Sequence, residues 1–349
     1  MRLSRAIQWV LGAGLAAAGL LIFFRNVDPH RLVQLLLQTN LLVILMCAVL
    51  SVCSVWFRAL RWRVMLPATQ AAHTKKLFSI VTISFMINNI LPARMGEAAR
   101  AVLLWKRNGY GIAVSIGSLI QERGIDLLMF SACFFVPVFL SPLVAPDSGI
   151  AASASVYKTV TLKSFAVVLA AVVAASIALL FAYSRFPKGV IWLGRKSLRF
   201  LPAKAHPRLK RVARDVISTL NWTFSAKKWL AVFMLSFMIV TCYAMMVVLL
   251  AGQNNFGFLS GLFSQAFSAL GAAIPLTPGY VGTLHAVMLE GLALCGMARD
   301  KAQAITIIYH GVPYITITLL GLYYFFSMKI TFRDISEAEK TIDKEEEKK

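Results

Sequence analysis

Acidic side chains are scarce in this sequence: 15 Asp and Glu stand against 36 Lys and Arg in 349 residues. Seven of the 15 (Asp334, Glu337, Glu339, Asp343, Glu345, Glu346, Glu347) fall in the last 16 residues, so the rest of the chain is more basic still. No Gly-x-x-x-x-Gly-Lys-Ser/Thr loop occurs, which excludes a phosphate-loop ATPase engine carried by this chain. There is no His-Glu-x-x-His and no Asp/His grouping with metal spacing, and no Ser-His-Asp arrangement can be argued. The five cysteines (Cys47, Cys53, Cys133, Cys242, Cys295) are odd in number, form no Cys-x-x-Cys pair and lie in apolar stretches. They read as small buried hydrophobes rather than disulfides or metal ligands. No cofactor and no metal are expected.

What is present is apolar. Hydrophobic residues make up 58% and charged residues 15%, with a mean hydropathy of +0.71. That balance lies far outside the soluble range and predicts an all-α, polytopic membrane protein. Apolar runs recur along the whole length and leave no room for a soluble catalytic domain. The net charge of +21 then speaks first of topology and of anionic lipid headgroups at the basic loops. Nucleic acid is not expected as a partner, because the basic residues flank the spans. Homo-oligomers are left open.

The pattern predicts spans near 6–24, 39–60, 112–140, 160–183, 229–251 and 302–328, with an amphipathic piece at Pro29–Leu37. The N-terminal run after Arg2 and Arg5 is too long for a signal-peptide core and reads as a retained helix. One transmembrane domain is expected over 1–330, in halves of about 1–183 and 229–330 joined by a basic loop at 184–228. A charged tail fills 331–349. The basic stretch carries 12 Lys and Arg against Asp215 alone, so the positive-inside rule makes it cytoplasmic. The N-terminus and the tail follow, in a plasma (inner) membrane. Arg58, Arg61 and Arg63, with Trp56 and Trp62, read best as an interfacial belt.

Two segments, 77–105 and 256–297, are apolar but broken by Pro, Gly and charge. The first contains Leu91-Pro92-Ala93-Arg94-Met95-Gly96-Glu97; the second contains Pro275-Leu276-Thr277-Pro278-Gly279-Tyr280-Val281-Gly282-Thr283. Backbone freed by such breaks has no water to bond in hydrocarbon, so it must lie against protein or a polar cavity. The charge flanks make each segment a broken or re-entrant hairpin, the two entering from opposite faces, in addition to about six full spans. An inverted repeat would give that pattern. Two kinked ordinary spans are the plainer alternative.

Within the breaks, Arg94, Glu97 and Arg100 recur at three-residue spacing, suited to a basic pocket for a phosphate or other anion. A helix end that snorkels to the interface is the plain alternative. Glu122, Arg123 and Asp126 sit ten residues into an apolar helix, as partners of that cluster, as a proton-coupling carboxylate, or as a fixed inter-helix salt bridge. In the second break Pro275, Thr277, Pro278, Gly279 and Gly282 permit close backbone approach to a ligand. His285 is the titratable side chain nearest that break and His310 a weaker candidate; a satisfied interior histidine is the alternative.

Taken in order, Leu91-Pro92-x-Arg94-x-Gly96-Glu97-x-x-Arg100, Glu122-Arg123-x-x-Asp126 and Pro275-x-x-Pro278-Gly279-x-x-Gly282-Thr283 resemble the lysylphosphatidylglycerol synthase transmembrane (flippase-like) family. Arg58-Ala59-Leu60-Arg61-Trp62 fits its early basic motif. The resemblance covers about residues 5–328. It implies a membrane module that moves lipids, here expected without the cytosolic aminoacyl-transfer domain and hence without lipid aminoacylation. One departure is His285, where the family often has Glu. The expected function is non-enzymatic translocation of a phospholipid, glycolipid or polyprenyl-phosphate lipid. An integral-membrane lipid-headgroup transferase and a small-solute secondary transporter are the alternatives.

Overall fold

The computed structural model of the protein describes residues 5–25, 28–67, 73–91, 94–144, 225–252, 256–273 and 277–330. The expected span at 160–183, most of the basic loop, the charged tail and Pro275 lie outside the described residues. Among the described residues the regular structure is helical throughout, as the composition predicts. In chain order the helices are α1 (Arg5–Phe24), α2 (Pro29–Leu37), α3 (Leu41–Met65), α4 (Thr74–Ile90), α5 (Met95–Asn108), α6 (Ile112–Val144), α7 (Ala226–Ala251), α8 (Phe258–Ala273), α9 (Thr283–Leu294) and α10 (Arg299–Ser327).

Local sequence sets the ends. Asp28 caps α2 by accepting from the His30 amide at 2.9 Å, with Pro29 opening the helix, and Asn40 caps α3 by accepting from Leu42 at 2.8 Å. Gly109 and Gly252 close α5 and α7 in the left-handed region. Among the described residues four helices, α3, α6, α7 and α10, are long and apolar enough to cross a bilayer. On α3 the exposed Leu41, Leu42, Leu45, Met46 and Val49 share one stripe, the signature of a face turned to lipid.

The long helices pair antiparallel. Between α3 and α7, Cys47 meets Met246, Ser54 meets Tyr243 and Arg61 meets Ser236, the second number falling as the first rises. Between α4 and α10, the Asn89 side chain donates to Thr318 Oγ1 at 2.9 Å and the Tyr314 hydroxyl donates to the Asn89 carbonyl at 3.1 Å. A large apolar core unites α6 to α10 around Phe263, Met288 and Leu289; a second joins α3, α4, α5 and α10 around Trp62, Ile83 and Leu103.

The two broken segments fold as helical hairpins, α4–α5 and α8–α9. At about 1.5 Å per residue their helices run from roughly 18 to 25 Å, short of the ~30 Å hydrocarbon thickness. Small residues let each hairpin close. A Cβ on Gly96 would strike the Ser84 carbonyl, and one on Gly271 would lie 2.6 Å from the Leu284 Cα. The hairpins open toward opposite ends of the bundle. Where α5 ends, Arg107 donates to the Met328 carbonyl after α10 at 2.7 Å and the Tyr110 hydroxyl to Pro67 after α3. Where α9 ends, Arg299 at the start of α10 pairs with Glu290 at 3.1 Å.

Two first-half spans, α3 and α6, run longer than the pattern predicts at their C-terminal ends. Span two is expected to stop near residue 60, yet α3 continues to Met65. That extension carries Arg61 into the protein interior and leaves Arg63 exposed.

Candidate functional site

The two breaks meet tip to tip. A Cβ on Gly279 would lie 2.6 Å from Tyr314 and 3.0 Å from the Asn89 carbonyl, so the second break packs on the last turn of α4. Arg94 crosses in the other direction and donates through Nη2 to the carbonyls of Ala272 (2.9 Å) and Ala273 (3.4 Å) at the end of α8. A cation at a helix C-terminus meets the negative end of the helix dipole and satisfies orphan carbonyls. Each break is turned by a non-glycine residue in the left-handed region, Arg94 at φ 52° and Tyr280 at φ 61°. Each costs about 1–2 kcal/mol of backbone strain.

Arg94 leads into a network of charge. From α6, Glu122 and Asp126 point inward, the first 0% and the second 6% exposed. Arg100 of α5 reaches Glu122 Oε2 through Nη1 at 2.9 Å. Arg61 of α3 lies 2.8 Å from Asp126 Oδ1 and 3.3 Å from Glu122 Oε1, and also donates to Ser236 of α7 at 2.9 Å. Arg58 stands 3.4 Å from Asp126 and 3.7 Å from Glu122. At the rim, Arg123 pairs with Asp126 at 3.3 Å and Glu97 at 3.5 Å, while Glu97 lies 3.8 Å from Arg94.

The structure thus brings Arg94, Glu97, Arg100, Glu122, Arg123 and Asp126 into one cluster, as their spacing implies. It also corrects the reading of the early basic motif. Arg58 and Arg61 are no interfacial belt: both are buried, both pair with Glu122 and Asp126, and Trp62 is fully enclosed. Only Arg63 of the three is exposed, donating to Thr74 at 3.0 Å. The missed signal was spacing. Arg58 and Arg61 share a helical face, as Glu122 and Asp126 do, and two such faces can zip together.

Among the described residues five arginines meet three carboxylates here, an excess of two positive charges. Arg100 carries the excess inward. Its guanidinium lies 3.8 Å from the centre of the Trp62 ring, whose indole N–H donates to Ser118 at 2.9 Å, and its buried Nη2 has no hydrogen-bond partner among the described residues. A planar guanidinium stacked on an indole keeps its edge free for a phosphate oxygen. Glu122 and Asp126 are both held by arginine.

The second break places Thr277 Oγ1 3.3 Å from Thr283 Oγ1, and the Gly282 amide donates to His285 Nδ1 at 3.3 Å. Gly282 (φ 87°) is turned against Ala16 of α1, where a Cβ would strike the Ala16 carbonyl. Residues singled out separately in the sequence stand together: His310 Nδ1 lies 3.4 Å from His285 Nε2. These backbone groups face their own segment and α1, and Gly279 faces α4, so protein contacts occupy the positions expected to approach a ligand. Pro278 begins the short helical turn Pro278–Tyr280.

A family model described as the lysylphosphatidylglycerol synthase TM region matches residues 9–321. Two curated relatives are similar across much of their length. A UPF0104 membrane protein of Methanothermobacter thermautotrophicus is 25% identical over 356 aligned positions, covering 99% of this chain and 100% of that protein. A UPF0104 membrane protein of Methanocaldococcus jannaschii is 25% identical over 240 positions, covering 69% of this chain and 93% of that protein.

Proposed function

The chain belongs to the lysylphosphatidylglycerol synthase transmembrane family, and on that premise we propose that it is a lipid translocase for a lipid with an anionic, phosphate-bearing headgroup. The observation that carries this reading is the buried excess of cation, and above all the unpartnered Nη2 of Arg100. Uncompensated charge inside a membrane protein is expensive and marks a ligand path. A phosphodiester removes half of the excess and a phosphomonoester most of it. The rim offers the way in, since Arg123 is 39% exposed on its side chain while Glu122 behind it is 1% exposed. The headgroup enters at Arg123 and Glu97, exchanges onto Arg100 and crosses between the hairpin tips, while its tails stay in hydrocarbon. No bond is made or broken in this reading, so the protein is not an enzyme.

In the same reading the protein is a multi-pass protein of the plasma (inner) membrane, with its N-terminus, basic loop and tail in the cytoplasm. Anionic lipids gather at that loop. Reconstitution into liposomes with a fluorescent anionic phospholipid, scored by chemical quenching of the outer leaflet, tests the proposal. Transfer above that of empty liposomes, abolished in Arg100→Gln, is the expected result. Transfer equal to that of empty liposomes, for anionic and zwitterionic probes alike, removes the reading.

A further inference from the structure

The pair formed by His285 of the second hairpin and His310 of α10 has no part in the anion site. We propose that His285 and His310 form a binding site for a proton, and that a proton taken up there opens the second break during lipid transfer. The inference rests on the translocase reading above.

The hydrogen-bond chain fixes where protons sit. The Gly282 amide donates to His285 Nδ1 at 3.3 Å, so the neutral ring carries its hydrogen on Nε2. That Nε2 faces His310 Nδ1 at 3.4 Å, which must then accept. The rings meet edge to face, 4.8 Å between centres. An added proton therefore has one vacant position on each ring, Nδ1. On His285 it removes the acceptor of the Gly282 amide. On His310 it sets two N–H groups against each other. In the first case the link that holds the turn to the start of α9 is broken, and in the second the contact of α9 with α10; Gly282 is also the contact of the turn with α1.

Among the described residues, the groups beside the pair supply no fixed counter-charge. α1 presents the Phe23 ring, 5.2 Å from His285, and α10 presents Tyr314, 5.8 Å from His310. α8 contains no ionisable residue, and the turn presents the Gly279 backbone, which is hydrogen-bonded to His310. The N-terminus of α9 adds positive potential of its own. A proton here thus needs an anion nearby, and the lipid phosphate that passes the abutting tip of the first hairpin is that anion. By linkage each ligand then strengthens binding of the other, with couplings typically about 5- to 150-fold.

The test is the initial rate of fluorescent anionic phospholipid transfer in proteoliposomes, at equal pH on both sides, from pH 5 to pH 8. Wild type is compared with His285→Gln, which still accepts from Gly282, and His310→Phe, which keeps the ring packing. The expected result is a wild-type rate that changes by about fivefold or more across the range and a flat profile in each variant. A flat wild-type profile, or variants that keep the wild-type dependence, overturns the proton site and leaves the translocase reading standing. If no lipid moves at any pH the translocase reading fails, and thermal unfolding in detergent decides on the pair. A pH dependence that differs between wild type and His310→Phe retains the proton site; the same dependence in both ends it.

Discussion

Arg61 and Asp126 lie 2.8 Å apart although 65 residues separate them, and through this contact α3 is fastened to α6. Neither could be buried alone. Removing one partner of a buried pair typically costs about 3–5 kcal/mol, because the other charge remains without compensation. Asp126→Asn is expected to lower stability by that amount in detergent. Asp126→Asn combined with Arg61→Met is expected to lose less than the two single changes added together. Additive losses in the thermal unfolding of the three variants would show that the contact contributes nothing specific.

Arg100→Lys keeps the charge but loses the flat stack on Trp62 and the forked edge. Anionic lipid transfer is expected to fall by about tenfold, near ~1.4 kcal/mol, with little change in unfolding temperature. Unchanged transfer in proteoliposomes would mean that any cation suffices at this position.

A glycine in a turn and a glycine inside a helix should respond in opposite ways. Gly282→Ala meets the Ala16 backbone and a φ of 87°, so a loss above about 1–2 kcal/mol is expected. Gly124→Ala in α6 meets nothing within 4 Å, and a gain of about 0.5–1 kcal/mol is expected from helix propensity. Melting curves of the two variants in the same detergent check the signs.

The ends of the first hairpin lie together, so single cysteines at Lys75 and Arg107 are expected to react from the same side of the membrane. The native cysteines interfere little, four being buried and Cys53 half-buried. Labelling of the two positions by membrane-impermeant maleimide from opposite sides would turn α4–α5 into a full crossing.

Much of this arrangement is legible in the sequence. Pro29–Leu37 is found at its observed bounds because Asp28, Pro29 and the apolar repeat all agree on them. The breaks are legible because Pro and Gly at membrane depth admit few explanations. Arg58 and Arg61 were missed for a physical reason: basic residues near a helix end ordinarily report on topology, and their carboxylates arrive more than 60 residues later. The His285–His310 contact was hidden likewise, since the chain returns through α10 before the rings meet. What no local pattern reveals is that Arg94 is spent on the carbonyls of Ala272 and Ala273 rather than left for a ligand.

The fastening of α3 to α6 also has a history within each molecule's synthesis. α3 emerges from the ribosome well before α6, so Arg58 and Arg61 reach the bilayer before their carboxylates exist. A central arginine adds roughly 2.5–3.5 kcal/mol to the insertion of a lone helix. At ~1.5 Å per residue these two sit about 25 to 30 Å along α3, near one mouth of the bilayer, where long side chains can wait in the headgroups. α3 thus enters on its leucines and valines alone and sinks to its final depth once α6 is threaded beside it. Ser236 of α7 then closes around Arg61, later still. Assembly of the anion site is therefore timed by chain order, and the site is complete only when the second half of the protein has been made.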